Sequence, residues 1–308
     1  MGMKFRAHDT FFIRKGWLSK GMEQIVRKPN LFVDKNENPM DILGIGANMV
    51  KALRYWLTTV GLTEEPPTGR KNQTLTKELG KYVYENDRYI EELGTLYLLQ
   101  YRLACNRNEA TAWYFFFNEF TLSEFTKEEY VQEIQNYIMM AEDGSPVALR
   151  SLNEDFSCIV NTYLPRYKSN PGRVSPENNI DCPFGELGLI DIANKKKKTF
   201  KKSTPSAKSI NPWVAFAVIV DQATEKDKNR NDVIRDEIGL NELYSKPCNI
   251  GKVFNLDTIT MLDVLHEIEN LGLIKIIRTA GLDVIHINEK MTFEDCVKRY
   301  YKTLNEDV

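Results

Sequence analysis

Apolar positions recur at helical spacing through residues 1–90, in short runs broken by glycine and proline. Val50, Leu53, Leu57 and Val60 lie three and four apart, and Trp56 widens their face, which predicts an amphipathic helix from Ala47 to Gly61. Before it, Trp17 to about Lys28 reads as a helix. Asn38-Pro39-Met40-Asp41-Ile42-Leu43-Gly44 reads as a shorter one with proline near its start, followed by a tight corner at Ile45–Asn48. After it, Leu62–Glu65 and Thr74–Leu79 read as strands around the turn-rich tip Pro66-Pro67-Thr68-Gly69-Arg70-Lys71-Asn72. Helix, corner, longer helix and hairpin with a basic tip is the order of a winged helix.

The pattern changes at residues 91–192, where helices are expected over Ile90–Leu103, Thr111–Glu119 and Lys127–Met140. Asp143-Gly144 breaks the chain, and Ser145-Pro146 predicts a capped restart running to about Tyr163. That pair of helices is a second candidate helix-turn-helix. Asn194–Ser209 has little apolar content and reads as a basic linker, or as an arm that neutralises phosphates. In the last block, Pro212–Gln222 is an apolar helix. Asp257 caps a helix at Thr258–Asn270, and Leu273–Arg278 with Leu282–Asn288 form a hairpin around Thr279-Ala280-Gly281.

The expected fold is therefore mainly α with small β-hairpins, arranged as successive winged-helix or helix-turn-helix-like modules. The boundaries are 1–90 for an N-terminal winged-helix-like DNA-binding module, 91–192 for a helical module with the second helix-turn-helix, 193–209 for the basic linker and 210–308 for a C-terminal winged-helix-like module.

Composition sharpens this without changing it. The chain of 308 residues is 42% hydrophobic and 27% charged, ordinary for a globular protein. The longest apolar stretch, Trp213–Val220, is too short to span a membrane, and MGMKFRAHDTFF does not resemble a secretory signal. Five scattered cysteines without a CxxC argue against disulfides or zinc and for a reducing cytoplasm. The net charge of −2 hides an asymmetry. Residues 1–75 carry 12 Lys+Arg against 7 Asp+Glu, residues 76–204 carry 16 against 19, and residues 205–308 carry 13 against 17. A phosphate-binding face needs local rather than global positive charge. The N-terminal quarter is where double-stranded DNA would bind.

On the Ala47–Gly61 helix, Asn48, Lys51, Arg54, Tyr55 and Thr58 lie opposite the core. Asn48 could pair with adenine, Lys51 or Arg54 with guanine, and Tyr55 or Thr58 with phosphate. Arg14, Lys15, Lys20, Arg70 and Lys71 would position the backbone without reading sequence. The plainer reading is a solvated helix face; the corner before it and the basic tip after it favour DNA. Arg150, Ser151 and Asn153 of the second candidate sit beside Glu154 and Asp155, whose charge repels phosphate. The acidic third block is read as a homodimer or partner surface. Trp113-Tyr114-Phe115-Phe116-Phe117 could stack bases, but so dense a run fits a core better.

No phosphate-binding loop, serine-nucleophile motif or zinc-protease motif is present. His8-Asp9 beside Arg14 could serve as a base near a phosphodiester, against the plainer reading of a structural histidine. Asp181, Glu186 and Asp191, around Cys182-Pro183-Phe184-Gly185, could converge on magnesium or manganese, although the same spacing suits a surface loop.

Several of these residues also form motifs. Phe5, His8-Asp9-Thr10-Phe11, Arg14, Gly16-Trp17-Leu18 and Lys20-Gly21 are followed by Leu43-Gly44-Ile45-Gly46, Asn48-Met49-Val50 and Arg54-Tyr55-Trp56. Asp181-Cys182-Pro183, Glu186-Leu187-Gly188-Leu189-Ile190, Gly251-Lys252-Val253-Phe254 and Thr279-Ala280-Gly281-Leu282 continue the series. Together they resemble the domain of unknown function family 4007, found in bacterial gene clusters for DNA phosphorothioation and phage defence. The resemblance implies a DNA-acting component working beside a cysteine desulfurase, an ATPase and a sulfurtransferase, with some members linked to nicking DNA so that sulfur can enter one strand. The family usually has Glu where this chain has Asp9, which weakens a catalytic role for that pair. Two functions are expected from this: a DNA nickase using a divalent metal, or a non-catalytic winged-helix adaptor, with a transcription regulator as a third.

Overall fold

The computed structural model describes residues 2–142, 144–164, 182–226, 231–279 and 282–306. The protein is mainly helical with small antiparallel sheets. Helix α1 (Trp17–Arg27) buries Trp17, Leu18, Met22 and Ile25 on one face. Gly21 lets α1 approach closely, since a Cβ there would come within 2.6 Å of Leu57 Cδ1. Helix α2 (Pro39–Leu43) is capped by the Asn38 side chain, which accepts from the Met40 amide. Gly44 turns the chain at φ 61°, a conformation that favours glycine, and α3 (Ala47–Thr59) follows with Val50, Leu53, Trp56 and Leu57 buried. Strands β1 (Thr63–Glu64) and β2 (Thr74–Leu75) pair antiparallel, and helix α4 (Gly80–Asn86) closes the block.

Helix α5 (Leu93–Cys105) is buried on almost every face, as its apolar residues all round require of a central helix. Helix α6 (Thr111–Tyr114) runs into a π-helical turn, Phe115–Glu119, so the dense aromatic run is core. Strand β3 (Glu124–Phe125) leads into α7 (Lys127–Met140), which starts at a reciprocal Thr126–Glu129 capping box. Helix α8 spans Leu149–Tyr163, so Ser145-Pro146 precedes the helix instead of capping it. Residues 145–148 belong to no helix or strand, Val147 packs against the core, and Ala148, with extended backbone, occupies the cap position.

The stretch expected to be a linker is ordered differently. Strand β4 (Ile190–Asn194) and strand β5 (Thr199–Lys202) form a hairpin, and β5 also pairs with β3, giving the order β3-β5-β4. Beyond it, α9 (Pro212–Ala223) buries Val214 through Val220 without interruption. Strands β6 (Thr224–Lys226) and β7 (Asp232–Ile234) pair. Strand β8 (Glu237–Gly239), helix α10 (Leu240–Ser245) and helix α11 (Ile250–Val253) lead to α12 (Thr258–Asn270), which the Asp257 carboxylate caps by accepting from the Thr260 amide. Strands β9 (Ile274–Thr279) and β10 (Leu282–Ile287) form the expected hairpin and extend to a sheet of order β8-β10-β9. Ala280 and Gly281 of its turn lie outside the described residues.

Helix α13 (Phe293–Glu306) packs on α9 and reaches back to α4. One continuous core runs from Ile13 to Tyr301. The boundaries near 90 and 192 therefore separate blocks of sequence that share an interior. Gln100 joins them: its side chain donates to the Val253 carbonyl at 2.9 Å and accepts from the Tyr163 hydroxyl at 2.5 Å.

Candidate nucleic-acid interface

The exposed side of α3 divides in two. At its N-terminal end Asn48 and Lys51 face solvent, and neither side chain has a hydrogen-bond or ion-pair partner among the described residues. Gly46 provides no side-chain cap, so the first-turn amides point out of the helix end unsatisfied by a cap. Further along, the structure turns the expected contact residues elsewhere. Arg54 Nε donates to Glu65 Oε1 at 2.8 Å, and its NH2 donates to the Lys71 carbonyl at 3.3 Å. The Tyr55 hydroxyl donates to the Glu109 carbonyl at 3.0 Å, and burial, then the nearby Asp155 charge, pushes its pKa well above the ordinary value. Thr58 Oγ1 donates to the Arg54 carbonyl at 2.8 Å. A guanidinium already held by a carboxylate cannot read guanine without breaking that pair.

Arg54 instead ties α3 to the β1–β2 hairpin. Buried Gln73 completes the tie, its amide reaching the Arg54 carbonyl at 3.1 Å, Thr58 Oγ1 at 3.2 Å and Glu65 Oε1 at 3.2 Å. At the tip, Lys71 folds back onto the carbonyls of Pro66 and Pro67, whereas Arg70 is exposed. Of the remaining cations, Lys15 is exposed. Lys20 donates to the Leu43 carbonyl at 2.5 Å, and the Arg14 guanidinium lies 5.2 Å from the Trp17 ring and 5.7 Å from that of Phe11. Asn48, Lys51, Lys15 and Arg70 thus keep their polar groups available, while Lys20, Lys71 and Arg14 have a second occupation.

His8 is buried. It is 1% exposed, stacks on Trp56 at 5.9 Å and meets Trp113 edge-on at 5.5 Å. The Thr10 amide donates to Nδ1 at 3.1 Å, so the proton sits on Nε2, which donates to Asp155 Oδ1 at 2.7 Å. Asp155 also accepts from the Arg6 amide, at 2.9 Å to Oδ1. Burial raises the Asp155 pKa, and the His8 hydrogen bond opposes that rise. The carboxylate partner of His8 is therefore Asp155 of α8. Asp9 is its neighbour in sequence only, standing in a left-handed turn at φ 48°. The His8–Asp9 base does not form.

The three acidic metal candidates do not assemble within the described residues. Asp181 lies outside them, and Glu186 is exposed on a short 3-10 turn, Pro183–Leu187. Asp191, on β4, accepts from the Ile192 amide and pairs with Lys201 at 3.7 Å. Among the described residues no group of three His, Cys, Asp or Glu side chains could hold a metal ion. In the second candidate helix-turn-helix, Arg150 pairs with Glu154 at 2.8 Å and Asn153 donates to the Leu149 carbonyl.

Two features escape the reading of the chain as modules and a linker. Lys202 of β5 donates from Nζ to the carbonyls of Phe116 at 2.7 Å and Phe120 at 2.6 Å, binding the sheet to the end of the π-helical turn. Desolvation, then repulsion from Lys252, lowers its pKa to about 7. The second feature is the β4–β5 tip, Lys195–Lys198, where four exposed lysines stand together. The alternation of Ile190, Ile192 and Phe200 would have signalled strands, but the lysine density masked it.

The sequence profile of the family described as "Protein of unknown function (DUF4007)" matches residues 5–301. None of the curated proteins compared with the chain matches it. Two solved structures share its fold. "Magnesium ion-bound SspB crystal structure" is 24% identical, covers 98% of this chain and 94% of its own, and superposes with a TM-score of 0.76. "SspB crystal structure" is 23% identical over 98% of this chain and 95% of its own, also with a TM-score of 0.76.

Proposed function

The chain belongs to the DUF4007 family, and from that membership and the geometry of α3 we propose that it is a double-stranded-DNA-binding component of a bacterial DNA phosphorothioation and phage-defence system. Helices α2 and α3 with the β1–β2 hairpin act as a winged helix, with the first turns of α3 in the major groove. Asn48 hydrogen-bonds a base edge, Lys51 a guanine or a phosphate, and the uncapped amides of α3 receive a phosphate at the positive end of the helix dipole. Lys15 and Arg70 hold the flanking backbone. The sulfur-modification setting rests on the family motifs, and the two SspB structures of the same fold fit it. Its partners there are the cysteine desulfurase, ATPase and sulfurtransferase that accompany the family.

The observation that carries this reading is the pair Asn48 and Lys51, exposed and unpartnered among the described residues and lying in residues 1–75, where Lys and Arg outnumber Asp and Glu. Titration of a labelled duplex monitored by fluorescence anisotropy tests it. Asn48→Ala with Lys51→Glu should weaken binding at least about tenfold, since a lost base contact and a reversed phosphate contact are each worth about 1–3 kcal/mol. Unaltered affinity in that double variant would remove α3 from the interface.

A second reading, in which the protein also nicks one strand, is favoured by the magnesium ion bound in one of the two similar structures. Among the described residues no group of three His, Cys, Asp or Glu side chains could hold a metal ion, and Asp181 lies outside them. Supercoiled plasmid with magnesium or manganese decides the matter. Nicked circles that disappear in Asp181→Asn, Glu186→Gln or Asp191→Asn proteins would support nicking, and binding without nicks would leave an adaptor.

A further inference from the structure

The β4–β5 hairpin ends in Lys195, Lys196, Lys197 and Lys198, all exposed. None of the four has a carboxylate within ion-pair distance among the described residues, whereas Lys201, lower on the same strand, pairs with Asp191. The tip has a defined shape. Asn194 Oδ1 accepts from the amides of Lys196 at 3.0 Å and Lys197 at 3.1 Å, Lys198 closes the turn at φ 51°, and Asn194 pairs with Thr199 across the ladder. Below it, β5 is the central strand of its sheet, and Lys202 anchors its end to the core. Four like charges on a hydrogen-bonded turn repel one another, and among the described residues no carboxylate pairs with them.

Beside the hairpin lies a cleft of about 280 Å³ lined by Lys198, Lys127, Ser157, Asn161, Phe156 and Phe200. Glu128 stands at its rim. Ser157 Oγ and the Asn161 amide already donate to the Asn153 and Ser157 carbonyls, which leaves the two lysines to meet a phosphate and the half-buried Phe200 ring to lie beside its nucleoside. We infer that the Lys195–Lys198 tip, with Lys127 and the cleft beneath it, is a second nucleic-acid contact that grips the sugar–phosphate backbone. This inference rests on the reading of the protein as a DNA binder and extends it to a site remote from α3 in sequence. A nucleic-acid strand offers one negative charge about every 3.4 Å along its axis, so several phosphates lie within reach of a turn carrying four lysines. An acidic protein surface has no such regular array.

The test measures affinity of the full chain for a labelled duplex, and for the corresponding single strand, across a series of salt concentrations. Three proteins are compared: the wild type, a variant with Lys195 to Lys198 all changed to Ser, and the Asn48→Ala, Lys51→Glu variant. Each phosphate contact adds about 0.9 to the slope of log affinity against log salt on a duplex and about 0.7 on a single strand. The serine variant should lose about 2–3 from that slope and bind at least about tenfold more weakly at low salt, with a melting temperature no lower than that of the wild type. Changing the four lysines to arginine should preserve the slope. The arm with the larger loss identifies the form gripped. An unchanged slope in the serine variant overturns the inference even if the α3 variant fails to bind, whereas a reduced slope in the serine variant alone locates binding at the hairpin and removes the α3 reading. Polyglutamate that binds the wild type as tightly as DNA does, and loses that affinity in the serine variant, would also overturn it in favour of an acidic protein partner.

Discussion

Around Trp56 a few side chains decide how the N-terminal segment is held. Its indole N–H donates to the Phe11 carbonyl at 2.8 Å, and His8 lies flat against it while bonding Asp155. A buried carboxylate stripped of its donor is costly, so His8→Ala should destabilise the fold by about 3–5 kcal/mol in a denaturant titration. Asp9→Asn, at a position that bonds no part of this pair, should change stability by less than about 0.5 kcal/mol. Equal effects would contradict the assignment. The pairing was not legible in the chain because the two partners are 147 residues apart, and the adjacent Asp9 offered a local substitute. Lys202 makes a pH-dependent contribution. Its folded pKa of about 7 lies below the ordinary 10.5, so the folded protein binds this proton less readily than the unfolded chain. The stability tied to neutral Lys202 is complete above 10.5 and is lost as pH falls through about 7. The thermal midpoint of the wild type should therefore gain on Lys202→Met as pH is raised from 7 to 10; parallel pH curves would refute this.

At the scale of elements, α3 and the hairpin after it behave as one piece because Arg54, Glu65 and Gln73 join them. Glu65→Ala should cost about 0.5–2 kcal/mol, a discounted value for a partly exposed pair, and should speed amide exchange in β1 and β2. Exchange unchanged in the hairpin would show that the tie is not what orders it. Most elements were legible where periodicity and punctuation agreed. Thr111–Glu119, Lys127–Met140 and Thr258–Asn270 have the expected ends, and α3 stops two residues before Gly61. Helix α13 went unread although Phe293, Cys296, Val297, Tyr300 and Tyr301 form a helical stripe behind a Thr292–Asp295 cap. The β4–β5 hairpin went unread because the lysine run masked its alternation, and its sheet also includes β3, more than sixty residues earlier in the chain. On α3, exposure of Asn48 and Lys51 followed from helical phase. The capture of Arg54 by Glu65 depended on how the hairpin folds back, which periodicity does not report.

Over the whole molecule, sequence blocks with separate charge balances share a single interior, so binding at one end is carried on a body with one core. Gln100 is the joint between α5, α8 and α11, and Gln100→Leu would leave the Val253 carbonyl and Tyr163 hydroxyl buried without that partner. The expected loss is about 2–4 kcal/mol, with tryptophan fluorescence and far-ultraviolet circular dichroism still following one coincident transition. Two separated transitions would show that the blocks fold independently. The surface of this body presents two cationic features, the start of α3 with the hairpin tip at Arg70, and the lysine turn of β4–β5. Amide hydrogen exchange of the full chain, with and without duplex DNA, examines the first of them directly. Bound DNA should slow exchange at residues 47–51 and 66–72; saturating DNA that leaves both segments exchanging as in the free protein would contradict the account.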